Sequence, residues 1–114
     1  MQFSHLQKVT IVAERLLQGR LLAMLDEEGA TGYTMLAAEG RGSRGVHAAD
    51  FEGRHLQLET IVPPEVGRRI LERISDELLE DYAVIVYLSD VSVLRRHKFD
   101  EADGEASPGP EEPG

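Results

Sequence analysis

Apolar residues in this chain recur every second residue in some segments and every fourth in others, and the order of these spacings leaves few folds open. Leu6–Ala13 (LQKVTIVA) alternates by two, with Val9 and Ile11 on one side and Thr10 and Val12 on the other, which predicts a strand. From Glu14 the spacing becomes four: Leu17, Leu21 and Leu25, with Met24 beside them, predict a helix, and Gly29 suits its left-handed end. Gly32–Ala38 and Arg54–Val62 predict a second and a third strand, separated by a polar stretch that contains Gly40, Gly42, Gly45 and Gly53. Pro63 and Pro64 stop the third strand and open a second helix to about Glu80, striped by Val66, Ile70, Ile74 and Leu78. Tyr82–Leu88 (YAVIVYL) is nearly continuous in apolar residues, as in a strand covered on both faces, and Ser92 is placed to cap one further turn through Arg96.

The order β-α-β-β-α-β, joined by right-handed crossovers, predicts an α+β domain of the ferredoxin-like type: a four-stranded antiparallel sheet with both helices on one face. The other face must then carry either Val84, Val86 and Leu88 or Ala83, Ile85 and Tyr87, and copies of the same chain are the simplest cover for it. A length of 114 residues, 41% of them hydrophobic, suits one domain. With no run of 18 apolar residues and no charged-then-apolar leader, the expectation is a cytoplasmic protein without a membrane span or secretory signal. Lack of cysteine excludes disulfides, thiolate metal sites and a cysteine nucleophile.

The net charge of −9 is unevenly spread. Residues 100–114 hold six acids, no Lys or Arg and three of the five prolines, which leaves −3 for residues 1–99. The tail has no apolar cluster to offset the entropy of ordering and is expected to be disordered, so the domain is placed at residues 1–99. A net charge of −3 gives no general attraction for nucleic acid. The aromatic platforms of RNA-recognition modules are also missing from Leu6–Ala13 and Arg54–Val62, so no nucleic-acid partner is expected.

Two basic clusters could carry chemistry. Glu39-Gly40-Arg41-Gly42-Ser43-Arg44-Gly45 combines glycines, whose N–H groups can approach an anion closely, with two guanidiniums that fork onto phosphate or carboxylate. A phosphate cradle and a solvated hairpin loop both fit it. Arg95, Arg96, His97 and Lys98 form the second cluster, which is either an anion contact across a subunit boundary or a solvated terminal turn. Glu59 in LETIV is a nucleobase partner or an edge-facing charge. The four histidines have no metal-ligand spacing and no serine has a base at motif distance, so neither a metal site nor an enzymatic reaction is expected.

Ala30-Thr31-Gly32-Tyr33-Thr34, Gly40-Arg41-Gly42-Ser43-Arg44 and Val93-Leu94-Arg95-Arg96-His97-Lys98-Phe99, set in this order of elements, resemble the PII signal-transduction proteins. The resemblance covers about residues 6–99 and is to their PII-like, carboxysome- and bicarbonate-transport-associated branch. It implies a non-enzymatic homotrimer that binds an adenine nucleotide in each of three intersubunit clefts and reports occupancy through the loop at about residues 40–53. Thr31 matches the threonine beside the nucleotide, Glu59 and Ile61 match positions facing the adenine, and Gly40, Arg41, Gly42, Ser43 and Arg44 match the segment around the phosphates. Arg95, Arg96 and Lys98 match the C-terminal basic region. Leu79-Glu80-Asp81-Tyr82 replaces the glycine turn that many PII proteins place before the last strand, which shifts the expected ligand from ATP towards ADP, AMP or cyclic AMP. Bicarbonate as second ligand, regulation of inorganic-carbon uptake or fixation, and a membrane bicarbonate transporter or carboxysome component as partner follow from the branch. The alternatives are a ferredoxin-like small-molecule regulator of another pathway and a weak nucleotide hydrolase.

Overall fold

A computed structural model describes residues 1–38 and 55–95. The chain forms β1 (Gln2–Glu14), a single 3-10 turn (Arg15–Leu17), α1 (Gln18–Glu27), β2 (Thr34–Ala38), β3 (His55–Val62), α2 (Pro64–Glu77) and β4 (Ile85–Arg95). The four strands pair antiparallel in the order β2-β3-β1-β4. This is the expected ferredoxin-like arrangement, with both helices against one face of the sheet.

Each helix stops or starts where its residues require. Gly29 adopts φ 97°, a left-handed value that spares it a side-chain clash, and the Ala30 N–H closes on the Leu25 carbonyl at 2.9 Å. Pro64 opens α2, and the Pro63 carbonyl accepts from the N–H groups of Val66 and Gly67 at 3.0 and 3.1 Å. The four-residue stripes then fall on the sheet. Leu17, Leu21, Met24 and Leu25 join Val66, Ile70, Ile74 and Leu78 over Val9, Ile11, Ala13, Leu56, Leu58 and Val62 to form the core. Glycine at position 67 lets α2 approach β4 closely, since a Cβ there would stand 3.1 Å from Leu88 Cδ2. On the solvent side, Arg73 ties the helices together through Glu27 at 2.8 Å, Glu28 at 3.3 Å and Glu77 at 3.0 Å.

Strand β4 differs from its expected form in three ways. It runs to Arg95, so Ser92 and Arg95 belong to a strand and not to a capped turn. Eleven residues of β1 pair with it, from Gln2↔Arg95 to Val12↔Ile85, and β1 accordingly begins at Gln2 instead of Leu6. Ser89, Asp90 and Ser92 break the continuous apolar run that ends at Leu88 and hid this extension. Finally, β4 is an edge strand whose Val86 and Leu88, with Val84 just before it, pack on the core, whereas Ile85 and Tyr87 stay 52% and 48% exposed within the single chain. The expected loop at residues 40–53 and the tail at 100–114 lie outside the described residues.

A candidate ligand site on the open sheet face

Side chains alternate across a strand, so the register decides which residues share the face without helices. Ile11 opposes Leu58 and Val86 on the core face, which places Lys8, Thr10 and Val12 of β1, Gln57, Glu59 and Ile61 of β3, Thr34 and Leu36 of β2, and Ile85, Tyr87 and Ser89 of β4 on the open one. Leu36, Ile61, Ile85 and Tyr87 leave a large apolar surface in solvent here. Phe3 opposes Leu94 and falls on the helix side, so the open face of β1 and β3 carries no Phe, Tyr or Trp among the described residues.

Glu59 is the one acid on the described part of β3 and sits between polar neighbours. Gln57 Nε2 donates to Glu59 Oε2 at 3.0 Å, and Lys8 Nζ stands 3.8 Å from the same oxygen. Both interactions engage Oε2. Ile61, two residues on, offers an apolar surface on the same face. Thr10, opposite both Glu59 and Tyr87, is fully buried, and its Oγ has no hydrogen-bond partner among the described residues.

Thr31 lies at the same end of the β2–β3 pair. Thr34 is opposite Glu59, and Thr60 Oγ donates to the Gly32 carbonyl at 2.5 Å, so the segment that precedes β2 is fastened to β3. Thr31 itself is exposed. Glu59, Ile61 and Thr31 are therefore brought together by one strand pair, whereas Arg95 is not. Lys8 opposes both Ile61 and Ser89, and Arg95 is six residues further along β4, about 20 Å away at a strand's ~3.3 Å rise per residue. Gly40, Arg41, Gly42, Ser43, Arg44, Arg96 and Lys98 lie outside the described residues.

Sequence reasoning missed Gln57, Lys8 and Thr60. The first was visible in principle, since a residue two positions from Glu59 on a strand shares its face. Lys8 required the β1–β3 register, and Thr60 required the path of the chain between α1 and β2.

The profile of the nitrogen regulatory protein P-II family matches residues 6–98. Among solved structures, a PII-like signaling protein from Thermus thermophilus is 48% identical, over 82% of this chain and 94% of that one, with a TM-score of 0.71. CPII, a nitrogen regulatory PII-like protein from Thiomonas intermedia solved with ADP, AMP and bicarbonate, is 26% identical over 83% and 99%, with a TM-score of 0.73. GlnK from B. subtilis shares the fold at 18% identity, over 76% of this chain and 82% of that one, with a TM-score of 0.54. Because the profile runs through all four strands, both helices and the segment between β2 and β3, this chain belongs to the nitrogen regulatory protein P-II family as a PII-like signalling protein.

Proposed function

We propose that this protein is a cytoplasmic sensor that binds ADP or AMP in the clefts between the subunits of a homotrimer. Bicarbonate acts as second ligand, and occupancy is signalled to the machinery of inorganic-carbon uptake or fixation. The observation that carries the reading is the division of the candidate site: Thr31, Glu59 and Ile61 share one end of the β2–β3 pair, while the basic end of β4 is about 20 Å away in the same chain. A site using both needs the β4 end of a neighbouring subunit. The apolar open face and the Thr10 hydroxyl, unpartnered among the described residues, supply the reason for subunits to meet there. CPII, bound to ADP, AMP and bicarbonate, gives the ligand class.

Within that cleft, the Glu59 carboxylate accepts from the exocyclic amine of adenine and Ile61 covers the base. The N–H groups of Gly40 and Gly42, the Ser43 hydroxyl and the guanidiniums of Arg41 and Arg44 hold the phosphates, joined by Arg95, Arg96 and Lys98 of a neighbouring subunit. Phosphate contacts favour one arrangement of residues 40–53, and a membrane bicarbonate transporter or a carboxysome component reads that arrangement. The output is a change of partner affinity and involves no turnover.

Calorimetric titration of the full chain with ADP, AMP, cyclic AMP and ATP, each with and without bicarbonate, tests this. Binding of ADP and AMP at one site per subunit, tightened by bicarbonate, is expected; no binding by any of the four overturns it. Arg44→Ala should weaken ADP by about 10- to 100-fold, the worth of one charge-assisted phosphate contact, and leave the unliganded melting temperature unchanged.

A further inference from the structure

Thr10 and Thr60 are the two polar side chains buried in the described part of the sheet, and a buried hydroxyl is costly unless it is satisfied. Thr60 Oγ meets that requirement outside its own ladder, at the Gly32 carbonyl. The link falls in the stretch between α1 and β2, whose pairing to β3 starts only at Thr34. Two hydrogen bonds bracket Thr31 there: Ala30 N–H to the Leu25 carbonyl on the helix side, and Gly32 carbonyl to Thr60 on the strand side. The first belongs to the helix cap. The second ties the segment to the strand that carries Glu59 and Ile61.

Packing holds the segment only at Ala30, which lies against the core. A Cβ built on Gly32 would meet no atom within 4 Å, and Thr31 and Tyr33 on either side are exposed. Between the Ala30 contact and the first β2–β3 pair at Thr34, the Thr60 hydroxyl fastens the exposed residues to β3. Strand alternation completes the arrangement: Thr60 turns to the core side while Glu59 and Ile61, its chain neighbours, face the open side.

We propose that Thr60 is a positioning residue for the nucleotide site, holding Thr31 in register with Glu59 and Ile61 through the Gly32 carbonyl. This rests on the nucleotide-binding reading above. Its role is separable from packing, because two substitutions divide the side chain: Thr60→Val keeps the volume and removes the hydroxyl, and Thr60→Ser keeps the hydroxyl and removes a methyl.

The test measures ADP affinity by calorimetry and unliganded melting temperature for the full-length parent, Thr60→Val, Thr60→Ser, Thr31→Ala and the double variant Thr31→Ala/Thr60→Val. Thr60→Val should bind ADP about 5- to 10-fold more weakly, the consequence of losing one neutral hydrogen bond. Thr60→Ser should stay within about twofold of the parent even if it melts earlier. The double variant should bind like Thr31→Ala alone, because Thr60 acts through Thr31. Affinity that follows melting temperature instead of the hydroxyl, or additive losses in the double variant, would overturn the proposal. Should Thr60→Val fail to fold, a loss of ADP affinity in folded Thr60→Ser as large as that in Thr31→Ala does the same. A parent that binds no nucleotide removes the functional reading itself, whereas a parent that binds ADP with unaltered Thr60 variants removes only the positioning role.

Discussion

Tyr87→Asp separates folding of the subunit from its assembly. Tyr87 is on the open face, 48% exposed in the single chain, opposite Thr10. A tyrosine side chain presents roughly 200 Å², so about 100 Å² remains for a neighbouring subunit to cover, worth about 2.5 kcal/mol at ~25 cal/mol/Å². A carboxylate in its place forfeits that gain and adds a desolvation penalty of several kcal/mol. Together these amount to about 5 kcal/mol per subunit, or roughly three to four orders of magnitude in the association constant. Within one subunit the same carboxylate remains half in water, and the fold should hold. Light scattering at micromolar concentration should therefore find a trimer for the parent and a folded monomer for the variant, with ADP binding lost along with assembly. Val86→Asp is the control: Val86 faces the core opposite Ile11, so its carboxylate should unfold the chain, as circular dichroism would record. A Tyr87→Asp protein with the mass of the parent, or a parent that is itself monomeric, refutes assembly through this face. A monomer that binds ADP as tightly as the parent refutes the intersubunit site.

Two further outcomes bear on the helices. Gly29→Ala forces a side chain into the left-handed region at φ 97° and should cost about 1–2 kcal/mol, several degrees in a thermal melt; an unchanged melt would contradict this backbone conformation. Arg73→Met removes the ion pairs of Arg73 with Glu27, Glu28 and Glu77, leaving Arg20–Glu77 and Arg69–Glu28 between the helices, and should lower the melting temperature at low salt, with the difference from the parent closing towards ~1 M salt, where screening falls to ~3 Å. Hydrogen bonds that Arg73 donates to Glu27 first, then to Glu77, raise its pKa, and a raised basic group stabilises fully below its unfolded value, so this difference should stay flat from neutral to mildly alkaline pH. A gap that widens with salt would assign Arg73 a packing role instead.

Elements that bury an apolar stripe were legible in the sequence. Leu17, Leu21 and Leu25, and Val66, Ile70, Ile74 and Leu78, all reach the core, and Gly29 and Pro64 stand at the helix ends as their chemistry demands. The extension of β4 was not legible: the apolar run ends at Leu88, and Ser92 read as the cap of a turn, whereas main-chain pairing to β1 carries the strand on to Arg95. The site divides in the same way. Glu59 and Ile61 could be assigned to one face from the period of two, while the meeting of Lys8 with Glu59 spans 51 positions and exists only through the register. The Thr60–Gly32 bond depends on how an irregular segment leaves a helix, which no local pattern encodes.

The pairing of β1 with β4 also governs the order in which the chain can fold. Its eleven residue pairs join positions 73 to 93 apart, whereas β1 and β3 pair across 41 to 55 positions. Contacts so distant in sequence are slow to form, since much of the chain must be closed into a loop before they are rewarded. During synthesis β1 can find β3 once the first helix and the β2–β3 segment have emerged, but one flank of β1 keeps its backbone groups unpaired until the last strand leaves the ribosome. Chains interrupted after α2 would carry that exposed flank permanently, and they should aggregate by edge-to-edge pairing far more readily than chains that reach Arg95.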